Sequence, residues 1–263
     1  GRYFNHNVHS VRVLDDMVNW NISLQTLDGI LCHNGELELK EYRPCEMSTF
    51  VEYDKKVEAC YVDEKAIGEL IPCTLEGCVM RICDIIAYLG KDRQDAMRLN
   101  LLKESPFTAG AIGTSNGEII NNFSVNIIEN SYGKDYLKMD EEYFDALRQA
   151  KKENYEMIYN NKSLNDLYEN EIRPMFGELY EELLRQAESG DKSSVFYRHH
   201  MAYMEKNNFY VKSHVRKPYA EQEKNQLVVD YLASMTDDYF IALYHYLFPK
   251  GKHDVKFVGY FDL

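Results

Sequence analysis

The chain has 263 residues, with 30 Lys and Arg against 43 Asp and Glu, a formal charge of −13, and six cysteines. At this length a folded chain buries roughly 70–75% of the surface it exposes when unfolded, so neither disulfide nor metal is needed and a cystine-stapled miniprotein is excluded. The composition, 45% hydrophobic and 28% charged with 14 Gly and 6 Pro, excludes a collagen-like or largely disordered chain, and the acidic balance works against sequence-independent binding of DNA or RNA.

Gly1 precedes RYFNHN without an initiator Met and reads as the scar of tag removal, so the chain is expected to be a portion of a longer protein. Val8 to Val18 has apolar residues at 8, 11, 14 and 18, and Leu24 to Leu31 repeats the pattern, so both are expected as helices. Arg43 to Ile71, punctuated by Pro44 and Pro72, reads as an irregular excursion with a short helix inside. Thr74 caps a long helix running to about Leu102. A loop over Gly110 to Gly117 precedes helices at Glu118 to Ile128, Asp140 to Tyr159 and Leu164 to Glu188, the last kinked by Pro174 or starting there. Ser194 to Lys206, Ala220 to Ser234 and Asp237 to Leu247 complete an all-α set, and Val255 to Phe261 has the composition of a lone edge strand. No repeat or interdomain linker stands out, so residues 1–263 are expected to form one helical domain.

No window approaches 18 consecutive apolar residues, and no basic-then-apolar leader opens the chain, so no membrane partner and a cytoplasmic location are expected. The cysteines form no CxxC pair and sit mostly among apolar neighbours, which points to reduced, buried thiols. Sequence-specific nucleic-acid binding is not expected either.

The helix from Thr74, TLEGCVMRICDIIAYLGKDRQDAMRL, is apolar around most of its circumference apart from one polar stripe. With Asp84 at zero and about 100° per residue, Lys91 falls near about −20°, Asp95 about 20°, Tyr88 about 40°, Arg81 about 60° and Asp92 about 80°. Buried together, such groups must pair, hold a metal or line a wet pocket; on a solvent face they form a ladder of i,i+3 and i,i+4 ion pairs. Periodicity leaves both arrangements open.

The pattern Asp84, Tyr88, Asp92 (D-x3-Y-x3-D) in RICDIIAYLGKDRQDA resembles the segment carrying the last metal-ligand aspartate of the dGTPase-like deoxynucleoside triphosphate triphosphohydrolases, a branch of the HD-domain phosphohydrolases. HNVHSVRVLD resembles that family's Asn-x-x-Ser/Thr-x-Arg segment, NISLQTLDGILCHNGE its Leu-Thr-rich helix and following loop, and VVDYLASMTDDYF its DYIAGMTD hallmark. These landmarks run in the family's order from Asn7 to Tyr239. The resemblance implies a multi-helix, HD-like bundle, incomplete at its N-terminus.

HD enzymes hold their metal through His…His-Asp…Asp, yet no His-Asp dipeptide lies between Gly1 and Asp84. His33-Asn34 carries an amide where a carboxylate belongs, so His33 reads as a loop or supporting residue. His253-Asp254 lies after Asp84 in the polar run PKGKHDVKF and reads as coincidental. His6, His9, His199 and His200 have no spacing that promises convergent ligands, and read as solvated or capping histidines.

If the parent protein supplies the missing ligands, the resemblance implies that a divalent metal such as magnesium or manganese assists release of triphosphate from the 5′-oxygen of a deoxynucleoside. Asp84 would be the metal ligand of this chain. Tyr88 would pack on the sugar and leave little room for a 2′-hydroxyl, and Asp92 would accept a hydrogen bond from the 3′-hydroxyl. Arg12 and Lys91 are candidate phosphate contacts, each equally suited to pairing with a nearby acid. Thr236 or Asp237 suits the cap of the next helix. Arg198 and His199, with Tyr197 and Tyr203, make an aromatic-basic face open to a nucleotide, a second subunit or plain packing.

The expected partners are therefore a deoxynucleoside triphosphate and further copies of the chain, as family members assemble into oligomers. The alternatives are a catalytically silent regulatory or oligomerisation module, which the absent His-Asp would also produce, and a different HD activity on a nucleotide monoester or alarmone. The isolated chain is expected to bind no tight active-site metal and to show no turnover.

Overall fold

The computed structural model describes residues 2–18, 20–34, 38–102, 107–207 and 218–255. Its elements in order are α1 (His6–Arg12), α2 (Leu24–Leu31), β1 (Glu41–Tyr42), α3 (Phe50–Val62), α4 (Leu75–Arg98), α5 (Asn116–Ser131), β2 (Leu137–Lys138) and α6 (Glu141–Asn154). They continue with α7 (Lys162–Leu167), α8 (Arg173–Ser189), α9 (Ala202–Asn207), α10 (Lys224–Ala233) and α11 (Asp237–Leu247). Among the described residues the fold is all-α, with one antiparallel pair of two-residue strands in which Glu41 faces Lys138 and Tyr42 faces Leu137. No described helix is long and apolar enough to cross a membrane. All six cysteines are free; Cys32, Cys60 and Cys78 are buried, whereas Cys83 is exposed.

Contacts gather into two units: Gly1–Arg12 with Asn21–Asn161, and Val13–Trp20 with Lys162–Leu263. Unit 1 is organised around α4. Thr74 takes extended dihedrals, and its hydroxyl accepts from the Gly77 N–H at 3.0 Å, closing the helix start. The face of α4 carrying Cys78, Ile82, Ile85 and Leu89 packs with Ile119 and Phe123 of α5 and Leu147 of α6. Gly90 permits the close approach of α5, since a Cβ there would come within 2.7 Å of Asn116 Oδ1 and 2.8 Å of its Cα. α5 starts on a capping box in which Ser115 Oγ accepts from the Glu118 N–H at 3.2 Å and Glu118 accepts from the Ser115 N–H at 3.0 Å. A second cluster joins Val8 and Val11 of α1 with Leu27 and Leu31 of α2 and with Tyr53 and Cys60 of α3.

Unit 2 is built on α8, whose Met175, Leu179 and Leu183 pack with Phe196, with Leu227 and Val228 of α10 and with Leu243 and Tyr244 of α11. α7, a π turn at Tyr168–Ile172 and α8 follow one another without a break, Ile172 and Arg173 both having right-handed helical dihedrals, so Pro174 lies within a continuous helical run just after the π turn and not at a capped helix start.

The excursion expected over Arg43 to Ile71 contains a longer helix than its weak stripe suggested. Only Tyr53 and Cys60 of α3 are buried, and the helix is set by the Thr49–Glu52 capping box. The strand expected over Val255 to Phe261 lies, beyond Val255, outside the described residues.

Candidate functional site

The polar stripe of α4 divides by depth. Arg81 is buried, 3% exposed, and donates to the Leu70 carbonyl. Lys91 is exposed and pairs with Asp95 at 2.7 Å, an i,i+4 rung on the surface. Asp84 and Tyr88 are half-buried and line a cavity of about 1360 Å³ in unit 1. One stripe thus holds both arrangements that the spacing left open, a surface ion pair at one end and a pocket wall beside it.

The opposite wall comes from α6 and the π turn Tyr155–Tyr159, whose residues Asp145, Arg148, Lys152, Tyr155 and Tyr159 recur at helical spacing on one face. Tyr159 donates its hydroxyl to Asp92 Oδ2 and so ties the two walls together. Burial, followed by the hydrogen bond and charge of Asp92, pushes the Tyr159 phenol well above its ordinary pKa, which keeps the hydroxyl a donor at neutral pH. Asp92 itself does not line the cavity and is joined to it through Tyr159.

A buried clamp sets the position of this wall. Arg93 Nε donates to Asn154 Oδ1 at 2.7 Å, and its Nη2 donates to the Ala150 carbonyl at 3.0 Å and to Glu153 at 3.2 Å. Asn154 Nδ2 returns a bond to the Leu89 carbonyl of α4 at 3.0 Å. The guanidinium lies 4.0 Å from the Phe107 ring centroid. Burial opposes the charge on Glu153, but hydrogen bonds from Gln149 and Thr108, with the Arg93 charge, hold its carboxyl below the usual range.

The cavity is mixed in charge. Lys151 on its rim pairs with Glu38, and Lys152 lies 3.9 Å from Glu156, whereas Arg148 is exposed and sits 5.9 Å from the Phe144 ring centroid. Arg12, the last residue of α1, is half-buried and does not line this cavity; nor does Lys91. The basic side chains facing the pocket belong instead to α6. Their signal in the sequence was the spacing of Arg148, Lys152, Tyr155 and Tyr159, which an amphipathic surface helix shows equally well.

The histidines are placed as follows. His6 lines the cavity and meets His33 edge-on at 5.1 Å between centroids, and His33 Nδ1 lies 2.5 Å from the Ile30 carbonyl. Buried Asn7 donates to the Leu31 carbonyl at 3.0 Å. His253 Nδ1 lies 3.2 Å from Glu171 Oε2, which also accepts from the Asp254 N–H at 3.1 Å, and the Asp254 carboxylate lies 3.1 Å from His245 Nε2, so the dipeptide is held by Glu171 and His245. His199 reaches the Tyr239 hydroxyl at 2.7 Å. His200, expected to be solvated or capping, is instead buried at 3% exposure against Tyr219 and Tyr231. Thr236 caps α11 by accepting from the Tyr239 N–H at 3.3 Å.

A divalent-metal centre of the HD kind needs two histidines and two aspartates converging on one point. Asp84 supplies one carboxylate, but among the described residues no group of three or more His, Cys, Asp or Glu is placed to hold a metal ion. Glu38 and Glu156 on the same cavity are engaged by lysines. The described residues therefore do not fit a complete centre.

Residues 137–246 match the family model of the phosphohydrolase-associated domain. The chain is 25% identical to a deoxyguanosinetriphosphate triphosphohydrolase-like protein of Clostridium tetani, over 94% of this chain and 60% of that protein. It is 26% identical to one of Clostridium perfringens, over 90% and 58% of the two chains, and 27% identical to one of Caldanaerobacter subterraneus, over 67% and 47%. The chain is thus similar, at low identity, to dGTPase-like proteins, and its residues 137–246 resemble the phosphohydrolase-associated domain. The chain spans about three fifths of the length of the first two relatives. No solved structure matches it.

Proposed function

We propose that unit 1 holds a deoxynucleoside triphosphate in the cavity between α4 and α6, and that the protein carrying this chain hydrolyses it to a deoxynucleoside and triphosphate. The observation that carries this reading is one cavity lined by Asp84 and Tyr88 of α4, by Tyr159, whose hydroxyl holds Asp92 just beyond the lining, and by Arg148 and Lys152 among the mixed charges of α6. Tyr88 packs against the sugar face and disfavours a 2′-hydroxyl. Asp92, one oxygen fixed by Tyr159, accepts the 3′-hydroxyl with the other. Arg148 meets the polyphosphate, and Lys152 turns to it from Glu156, because the surplus of carboxylates on the cavity would otherwise repel it. Asp84 is the carboxylate this chain offers to a divalent cation. The names of the relatives support triphosphate release over release of phosphate or a monophosphate.

The test is product analysis on the gene product that carries this sequence, given dGTP and manganese. Triphosphate and deoxyguanosine in equal amounts are expected. Asp92→Asn is expected to lower kcat/KM for dGTP by about 100-fold while leaving 2′,3′-dideoxy-GTP nearly unaffected, because only the former loses a bond. Release of inorganic phosphate or dGMP overturns the reading. Binding of dGTP without turnover moves the protein to a silent regulatory role.

A further inference from the structure

Unit 2 has a cavity of its own, about 570 Å³, beside the π turn Phe196–Met201 and the start of α11. Its apolar surface comes from Val13, Met17, Val18, Met204 and Met235. Its flat surfaces are the rings of His199, Tyr203, Tyr231 and Tyr239, with Tyr203 60% exposed at the mouth. Its hydrogen-bonding side chains are those of Ser234 and Thr236 and of the histidines and tyrosines, among which the Tyr239 hydroxyl lies 2.7 Å from His199 Nδ1 and 2.5 Å from the Tyr231 hydroxyl.

This wall is braced from behind. His200 stacks on Tyr231 with centroids 4.8 Å apart and planes 20° apart, and its Nε2 meets the Tyr219 hydroxyl at 2.7 Å. Tyr219 donates to Asp230 at 3.0 Å, and Gln226 donates to the other oxygen of Asp230 at 2.9 Å. Burial lowers the His200 pKa to about 4, against the opposing pull of Asp230, so the ring is neutral near pH 7. A braced ring loses little freedom when a ligand stacks on it.

Among the described residues, no Asp, Glu, Lys or Arg lines this cavity. A phosphate would enter without a counter-ion and an ammonium without a carboxylate, and each would lose hydration without replacement. What the walls do complement is a flat ring that stacks on tyrosine and carries both donors and acceptors on its edge. The volume falls within the usual range for small-molecule pockets, about 300–1,000 Å³.

We propose that this cavity binds an uncharged nucleobase ring, as the free base or the nucleoside, and rejects the phosphorylated nucleotide. The inference stands apart from the deoxynucleotide reading of the α4–α6 cavity, and either can fail alone. It is tested by labelling the methionine methyls of the full chain and titrating guanine, deoxyguanosine and dGMP while following Met17, Met204 and Met235 by NMR. Saturable shifts at Met204 and Met235 are expected with the base, the nucleoside or both, and at least about tenfold weaker binding with dGMP. Shifts with guanine alone assign the free base, and shifts with deoxyguanosine alone assign the nucleoside. Tyr239→Phe, which removes one hydroxyl, is expected to weaken binding about fivefold, and Tyr203→Ala, at the exposed mouth, by a similar factor. Tyr88→Ala should leave these shifts unchanged. No saturable shift up to about 10 mM, equal binding of dGMP, or indifference to both tyrosine substitutions overturns the proposal.

Discussion

His200 offers a quantitative test of how unit 2 is held together. The imidazole is buried against Tyr219 and Tyr231, and desolvation lowers its pKa from 6.5 to about 4. In the unfolded chain the same group titrates near its ordinary value, so below about pH 6.5 the unfolded state takes up a proton that the folded state refuses. The folded pKa of this base is depressed, so its contribution is fully present above the unfolded pKa and is lost as pH falls towards 4. Between pH 7.5 and pH 5 the linkage costs about 2 kcal/mol, and over the whole interval about 3 kcal/mol, at about 1.36 kcal/mol per pH unit. Carboxylates titrate in part of the same range, so the quantity to measure is the difference between wild type and His200→Phe. Phenylalanine keeps a ring for stacking on Tyr231 and carries no proton to gain. Urea denaturation followed by circular dichroism at both pH values should show wild type losing about 2 kcal/mol more than the variant. Equal losses in the two proteins would mean that His200 is solvated or already charged, and the braced wall would have to be given up.

Other perturbations follow from the packing of unit 1. Gly90→Val places a Cβ against Asn116 at under 3 Å and should lower stability by about 1–3 kcal/mol by chemical denaturation, whereas an unchanged midpoint would contradict the close approach of α5 to α4. Arg93→Met leaves Glu153 buried with neutral donors only and should cost about 3 kcal/mol at pH 7; because the Glu153 carboxyl is depressed, the difference from wild type should shrink as pH falls through its folded pKa. Arg148→Ala should weaken dGTP binding by calorimetry about tenfold and leave deoxyguanosine binding unchanged, and equal effects on both ligands would remove Arg148 from the phosphate side.

Much of the helical plan was legible because it is local. Thr74 before an apolar-rich run announces α4 and Thr236 before Asp237 announces α11, each through a cap bond within one turn. The strand pair was not legible, since two residues at 41–42 pair with two at 137–138 and neither segment is long enough to show a period. The site was half visible. Asp84, Tyr88 and Asp92 share a face by helical arithmetic, but whether Lys91 belongs with them depends on what covers that face, and it turns out to serve Asp95 on the surface. The partner wall was out of reach because Tyr159 and Asp92 are 67 positions apart. Likewise His200 sits in a helical segment whose polarity suggested solvent, and only the packing of Tyr219 and Tyr231 across it makes it a core residue.

A crystal structure of the chain with dGTP would locate the ligand directly. The expected density puts the deoxyribose on Tyr88, the 3′-hydroxyl on Asp92 and the phosphates towards Arg148, with the 2′-carbon too close to Tyr88 for an added oxygen. Nucleotide density elsewhere, or a sugar whose 3′-hydroxyl points away from Asp92, would contradict the assignment of this cavity.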